Sequence, residues 1–327
     1  MKVLVTGSSG HLGEALCISL RRADVDTTGI DLLESSFTDV VGSVSDRATV
    51  ARAIRGVDAV IHSATLHKPH VVTHSKQDFI DTNIAGTLVL LEEAARAGIK
   101  SFVFTSSTSA FGHALRPDGG DPAVWVTEEL PPRPKNIYGI TKIAAENLCE
   151  LFHRRHGVNC VVLRTSRFFP EEDDSAEIRS LYRDANLKAN EFLFRRTDLE
   201  DVVSAHVLAL GRAESLGFDR LIVSATTPFG PNDRLNLRAD APSVVRRYFP
   251  EQPEIYARLG WRMLPSIDRV YVNERARRVL DWQPKYDYRH VLERVAVGVD
   301  PRSELARAVG SKGYHAEVFE EGPYPVE

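Results

Sequence analysis

The stretch VLVTGSSGHLG, residues 3–13, decides how this chain folds. VLVT is too short for a helix and is closed by glycine, so it reads as a buried strand. Beyond the glycines, Leu12, Ala15, Leu16, Ser19 and Leu20 recur at helical spacing. Each glycine between strand and helix has its own task. Gly7 allows a tight turn, Gly10 lets backbone approach a pyrophosphate, and Gly13 lets helix and strand pack closely. The helix start offers unpaired N–H groups and a positive dipole end to phosphates. The spacing is GxxGxxG, one residue longer than the commoner GxGxxG. Its weight comes from its position at the first strand–helix junction.

Outward from that junction, short apolar runs alternate with helical periods. Strands are expected at Val25–Ile30, Ala59–His62, Phe102–Thr105, Val161–Leu163 and Leu221–Val223, with helices at Arg47–Ile54, Asn83–Ala97 and Tyr138–His156. This alternation predicts an α/β fold with a doubly wound, parallel, Rossmann-type sheet. After Pro170 the pattern changes: residues 171–196 are charged and mixed, and prolines cluster at 228–253. The expected division is a dinucleotide-binding domain over 1–170 and a smaller C-terminal substrate-binding region over 171–327, some of whose segments return to the main sheet. The chain has 327 residues, enough for a core without staples, and a net charge of −4 with mixed signs, so no basic face for nucleic acid is expected. Three separated cysteines, Cys17, Cys149 and Cys160, in apolar surroundings suggest reduced thiols and a cytoplasmic setting. The start reads straight into a strand with no signal-peptide pattern, and no apolar run approaches membrane-spanning length.

The second strand ends in TTGID, which puts Asp31 eighteen residues after Gly13. A carboxylate there accepts hydrogen bonds from an adenosine ribose and repels a 2′-phosphate, so NAD is expected rather than NADP. The alternative is that Asp31 only caps a loop. NIYGITK (136–142) sets Tyr138 and Lys142 one helical turn apart. A free tyrosine titrates near 10; a nearby ammonium, or an oxidised nicotinamide ring, would stabilise the phenolate and lower that value. TSSTSAFG (105–112) brings hydroxyls to the carboxyl end of a strand, where open α/β sheets bind ligands. A Tyr-x-x-x-Lys match alone is usually an ordinary amphipathic helix. Its order after a glycine loop, an acid and a serine-rich strand end is what points to catalysis.

With TGSSGHLG, GID, HSAT (62–65), NIAGTLVLLEEA (83–94), FTSSTSAFG and YGITKIAAE (138–146) in this order, the chain resembles the extended short-chain dehydrogenase/reductases, the NAD-dependent epimerase/dehydratase family. The resemblance is strong to about residue 170 and weaker to about 290, where DLEDVVSAHVLAL (198–210) and ARRVLDWQPKY look like family segments. It implies NAD as cofactor and a catalytic set of Ser107, Tyr138 and Lys142, with Ser106 the near alternative to Ser107. Tyr138 would be the acid/base, and Lys142 its electrostatic partner and a ligand of the nicotinamide ribose. It also implies that His11 and Leu12 lie along the pyrophosphate, that Ser63, Ala64 and His67 lie beside the cofactor, and that Ser43 and Val44 meet the adenine. Asn83 resembles a structural asparagine of the family. Homodimers through the helices 83–97 and 138–156 are common in the family, and both carry apolar residues around more than one face, so a homodimer is expected.

The shared first step would be oxidation of a sugar or nucleotide-sugar carbinol, followed by release of the ketone, re-reduction from the other face, or loss of water. Dehydration ranks last, because Thr108–Ser109 stands where dehydratases carry an acidic pair. Nucleotide-sugar members have an asparagine in an LRxxN pattern; here LRTSRFFPEEDD (163–174) puts Arg167 in its place. Arg167 is expected either to hold a phosphate or sugar carboxylate, or to pair with Glu171 or Glu172. The Pro-Glu after this strand is also similar to uronate dehydrogenases. His67, His70 and His74 in HKPHVVTH read as a pocket rim rather than a metal site, since Pro69 intervenes and no acid or thiol joins them. The rival from another class is a non-catalytic NAD-binding regulator, which would tend to lose the tyrosine or lysine that this chain keeps.

Overall fold

The computed structural model describes residues 1–313 and 319. Among the described residues nine strands run in chain order: β1 (Lys2–Thr6), β2 (Asp26–Asp31), β3 (Val40–Val41), β4 (Ala59–His62), β5 (Ser101–Ser107), β6 (Val124–Val126), β7 (Asn159–Thr165), β8 (Phe218–Val223) and β9 (Arg269–Tyr271). Seven of them form one sheet in the order β3-β2-β1-β4-β5-β7-β8, with every neighbouring pair parallel. This is the doubly wound sheet expected from the alternation of strand and helix. The strand order reverses between β1 and β4, and such a reversal opens a crevice at the carboxyl ends of the strands. β6 and β9 pair in a separate two-stranded sheet. Both are three residues long and β3 is two, too short to show any period in sequence.

The helices that frame the crevice are α1 (His11–Arg22), α2 (Arg47–Ala53), α3 (Lys76–Phe79), α4 (Gly86–Arg96), α5 (Ile137–His156), α6 (Ala176–Leu181), α7 (Asp184–Glu191) and α8 (Leu199–Leu216). The expected helix over Asn83–Ala97 begins differently: a π-turn over Ile80–Ala85 precedes α4. That turn carries Asn83, whose side chain is engaged by a neighbouring loop and by Thr141 of α5.

Alternation along the strands sorts the core. Val3 and Val5 face α1 and α8, meeting Leu16, Leu20, Val202 and Ala209. Leu4 faces the other way, toward Val50, Leu90, Leu91 and Cys149 on α2, α4 and α5. Each face of a parallel sheet is thus covered by helices, which is why its strands read as unbroken apolar runs. A third cluster, with Phe194, Phe229, Leu237, Val245, Tyr256 and Tyr288, gathers apart from the sheet. No helix among the described residues is long and apolar enough to cross a membrane.

Candidate active site

The glycine loop is shaped by contacts that only glycine allows. Gly7 has φ +71°, and a Cβ there would sit 2.9 Å from the Ala64 backbone. A Cβ on Gly13 would lie 1.9 Å from the Gly7 carbonyl oxygen. Gly10 differs: its Cβ would meet nothing but that same oxygen, at 3.2 Å. No side chain caps the first turn of α1, so its N–H groups stay available to an anion. Leu12 is buried in the core below. The His11 ring stacks on Phe168 at 5.8 Å, and its Nδ1 is buried with no hydrogen-bond partner. Burial brings its pKa down to about 4. An uncapped helix start, an open glycine and an orphaned buried nitrogen together fit a pyrophosphate.

Asp31 does more than the ribose role asks. Its Oδ2 accepts the Ser9 N–H at 3.0 Å and its Oδ1 accepts the Leu33 N–H at 3.0 Å. The carboxylate therefore fastens the glycine loop to the end of β2, and each oxygen keeps lone-pair capacity for a ribose. Ser43 accepts the Ser45 N–H at 3.1 Å. The Val44 side chain packs into the core, so what it presents to an adenine is backbone.

At the end of β4 a chain of hydrogen bonds sets one histidine tautomer. The Thr87 hydroxyl donates to the Asn83 carbonyl at 2.7 Å, so it accepts from His62 Nε2 at 3.0 Å. His62 Nδ1 is then the acceptor for the Thr6 hydroxyl, 2.8 Å away. Thr6 Oγ1 in turn accepts the Ser63 and Ala64 N–H groups, both at 3.1 Å, and the Ser63 hydroxyl donates to the Thr6 carbonyl at 2.6 Å. Burial, then the Lys142 charge, hold the His62 pKa down at about 3. Asn83 accepts the Leu66 N–H at 2.8 Å and donates to Thr141 on α5 at 3.1 Å. The loop that holds Ser63, Ala64 and His67 is thereby tied to both β1 and α5. The His67 ring lies 6.2 Å from the Tyr138 ring, and the His67 backbone N–H donates to His70 Nδ1 at 2.8 Å. Burial and the Lys142 charge bring the His67 pKa down to about 3.

The three hydroxyls at the end of β5 go to three different places. Ser106 donates to Glu146 Oε1 at 2.6 Å, inside a buried cluster where Arg164 grips the same carboxylate at 3.0 and 2.7 Å. Ser107 sits beside the Tyr138 phenol, whose pKa it lowers, and its hydroxyl accepts the Ser109 N–H at 3.1 Å. Thr105 turns to His206. The hydroxyl that meets Tyr138 is therefore that of Ser107; Ser106 is committed elsewhere. Lys142 Nζ donates to the Thr105 carbonyl at 2.8 Å and lies 4.9 Å above the Phe104 ring and 5.9 Å from the centre of the Tyr138 ring.

The charges differ from the sequence expectation. Burial pushes Tyr138 up to about 12, partly offset by Ser107. Burial also brings Lys142 down to about 7, opposed by Glu146. Desolvation dominates at both groups, working against the phenolate and the ammonium alike.

Arg167 pairs with neither Glu171 nor Glu172. Its Nη1 bonds Asp173 at 2.6 Å and Glu191 of α7 at 3.2 Å. Burial works against the Glu191 carboxylate, but Arg167, Arg195 and Arg196 outweigh it and hold it well below the usual range. Glu191 is far away in sequence, so no local pattern announces this partner. Other groups absent from the sequence reading are Glu146, His206 and Asp173. Glu146 stands one turn after Lys142, and that spacing was its available signal. His206 sits in DLEDVVSAHVLAL with nothing local to mark its contact.

A sequence model of the NAD dependent epimerase/dehydratase family matches residues 3–223. The chain is 26% identical to a UDP-glucose 4-epimerase of Rhizobium meliloti over 324 residues, covering 89% of this chain and 94% of that one. It is 27% identical to a uronate dehydrogenase of Pseudomonas syringae over 180 residues, 52% of this chain and 60% of that one. The match spans 39% of the length of one curated relative, an uncharacterized protein of Sinorhizobium fredii, against 94% of the Rhizobium meliloti epimerase. A crystal structure of a short-chain dehydrogenase/reductase superfamily protein from Agrobacterium tumefaciens with bound NAD superposes with a TM-score of 0.66 at 25% identity, covering 91% of this chain and 96% of that one.

Proposed function

The chain belongs to the NAD dependent epimerase/dehydratase family, whose cofactor is NAD, and from that premise we propose that it oxidises a carbinol of a sugar or nucleotide sugar with Ser107, Tyr138 and Lys142 as its catalytic set. The observation that carries this reading is the convergence of Ser107, Tyr138 and Lys142 at the carboxyl end of β5, with the Lys142 amine held by the Thr105 carbonyl 5.9 Å from the centre of the Tyr138 ring. Gly7, Gly10, His11, Leu12 and Gly13 would hold the pyrophosphate, Asp31 the adenosine ribose, and Ser43 and Val44 the adenine. Ser63, Ala64, His67 and Lys142 would line the nicotinamide end. On this reading residues 1–170 bind the dinucleotide and 171–327 supply the substrate region.

NAD, when bound, supplies the hydride acceptor and a positive charge. Ser107 orients the substrate oxygen, and Tyr138 takes its proton. A buried phenol near 12 needs help to act as a base at neutral pH. A charged Lys142 some 6 Å away contributes about 3 kcal/mol at an effective dielectric of 20, roughly two pKa units. That is part of the required shift. The protein's share of the mechanism is to keep the amine close to the phenol and the site dry.

Replacing Tyr138 with Phe should leave NAD bound and lower turnover by roughly a thousand-fold; turnover at the wild-type level would remove the proposal. NAD affinity without turnover in the wild type, across a broad panel of sugars and alcohols, would favour a regulator instead. Stoichiometric NADH release distinguishes a dehydrogenase from an epimerase, which returns the hydride to its ketone.

A second reading, oxidation of a sugar acid, is favoured by the cations near the site. Lys135, three residues before Tyr138, lies within electrostatic reach of Lys68, Arg116 and Arg269, with Asp174 as the nearby acid.

A further inference from the structure

His206 lies on the face of the sheet opposite α5, fully buried, and touches neither the glycine loop nor Tyr138 in any contact described above. Its Nδ1 is 2.8 Å from the Val202 carbonyl, which can only accept, so that nitrogen carries the proton. Burial lowers the ring's pKa to about 4, so at neutral pH Nε2 is a bare acceptor. The hydroxyl of Thr105, 2.9 Å away, must therefore donate to it. Thr105 is the residue whose carbonyl holds the Lys142 ammonium. It is also the first residue of β5 past the end of the β4 ladder, which stops at Phe104 opposite His62. On that side the strand end has lost its neighbour just where the lysine is held.

We propose that His206 is a positioning residue for Lys142: through the Thr105 side chain it fixes, from across the sheet, the carbonyl that receives the ammonium. The chain of contacts runs Val202 carbonyl, His206, Thr105 hydroxyl, Thr105 carbonyl, Lys142. Each link has a single direction, because the helix carbonyl sets the histidine tautomer and the tautomer sets the hydroxyl. α8 thus takes part in holding a group on α5. This rests on the proposed function in one respect, that Lys142 serves the chemistry.

The test compares His206→Leu and Thr105→Val, which remove the hydrogen bond, with His206→Gln and Thr105→Ser, which retain an acceptor and a donor. The main readout is the titration midpoint of the Lys142 amine, followed by side-chain nitrogen NMR in the cofactor-free chain and assigned with Lys142→Met. The carbonyl stabilises the charged amine, so loosening it should lower the midpoint by roughly one pKa unit in the first pair and leave it in place in the second. Turnover should fall about ten-fold in the first pair and recover in the second. The other titratable groups around the amine, Tyr138, Glu146 and Cys149 on its own helix, His62 on β4 and His67 beyond it, are unchanged in all four variants. An unmoved midpoint in His206→Leu and Thr105→Val overturns the proposal, even if turnover or stability falls, because that is what a purely structural role gives. Should His206→Leu fail to fold, Thr105→Val, which keeps the side-chain shape, decides the matter. Full turnover in Lys142→Met would defeat the catalytic reading of the site and still leave the midpoint to judge the His206 link.

Discussion

At Gly13 a methyl group would lie 1.9 Å from the Gly7 carbonyl oxygen, whereas at Gly10 it would meet that oxygen at 3.2 Å and nothing else. Gly10 has φ −76°, a conformation alanine adopts freely. The two glycines should therefore fail in different ways. Gly13→Ala should destabilise the cofactor-free chain by about 3 kcal/mol or more, since backbone must move. Gly10→Ala should keep its thermal midpoint and lose NAD affinity by about ten-fold, because the added methyl projects where the pyrophosphate is placed. Equal loss of stability in both variants would contradict this account. The loop was legible from residue types and spacing alone, since its constraints are local. Asp31 was legible as an acid at the end of the second strand; that it fastens Ser9 became visible only when the two loops were brought together.

Three adjacent hydroxyls on β5 carry three separate tasks, and α5 supplies two of the partners. α5 itself is well announced: Asn136 caps it, accepting the Gly139 N–H at 3.0 Å, and Gly157 ends it in the left-handed region at φ +66°. Its buried row, Tyr138, Lys142 and Glu146, faces β5, while Ile140 and Leu151, 51% and 40% exposed, lie three turns apart on the outer face. Ile80, 39% exposed, adds an apolar group from the segment before α4. The homodimer proposed through these helices would cover that stripe. Light scattering at micromolar concentration should return twice the chain mass, and Ile140→Ser with Leu151→Ser should halve it; a wild-type monomer would remove the proposal. At this scale the sequence left Ser106 and Ser107 as alternatives. What separates them is that Glu146, from α5, takes the Ser106 hydroxyl at 2.6 Å and leaves that of Ser107, the last residue of the strand, free of it.

Across the whole molecule, His62 and His206 are 1% and 0% exposed and tie β4 and α8 into the sheet. Their folded pKa values, about 3 and about 4, lie below the ordinary 6.5. Between those values the unfolded chain binds protons that the folded chain refuses, so stability falls as pH falls through the window. At pH 5 each ring opposes folding by about 2 kcal/mol. Unfolding free energies of the wild type from denaturant titration should therefore drop more steeply from pH 6.5 to 5 than those of His206→Gln, by about 1 kcal/mol per pH unit. Parallel slopes would show that His206 titrates normally in the folded chain. Neither histidine could be given this role from sequence, since their partners, Thr6, Thr87 and Thr105, lie 25 to 101 residues away. By itself the sequence determined the doubly wound sheet, the glycine loop and the Tyr138–Lys142 spacing. These follow from periodicity, from glycine's backbone freedom and from the turn of a helix, all of which act over a few residues. Only the tertiary structure decided which serine meets Tyr138, which acids hold Arg167 and how the lysine is anchored. Those depend on burial and on partners from distant elements, and burial is also what drove the Tyr138 and Lys142 pKa values against the expectation from their spacing.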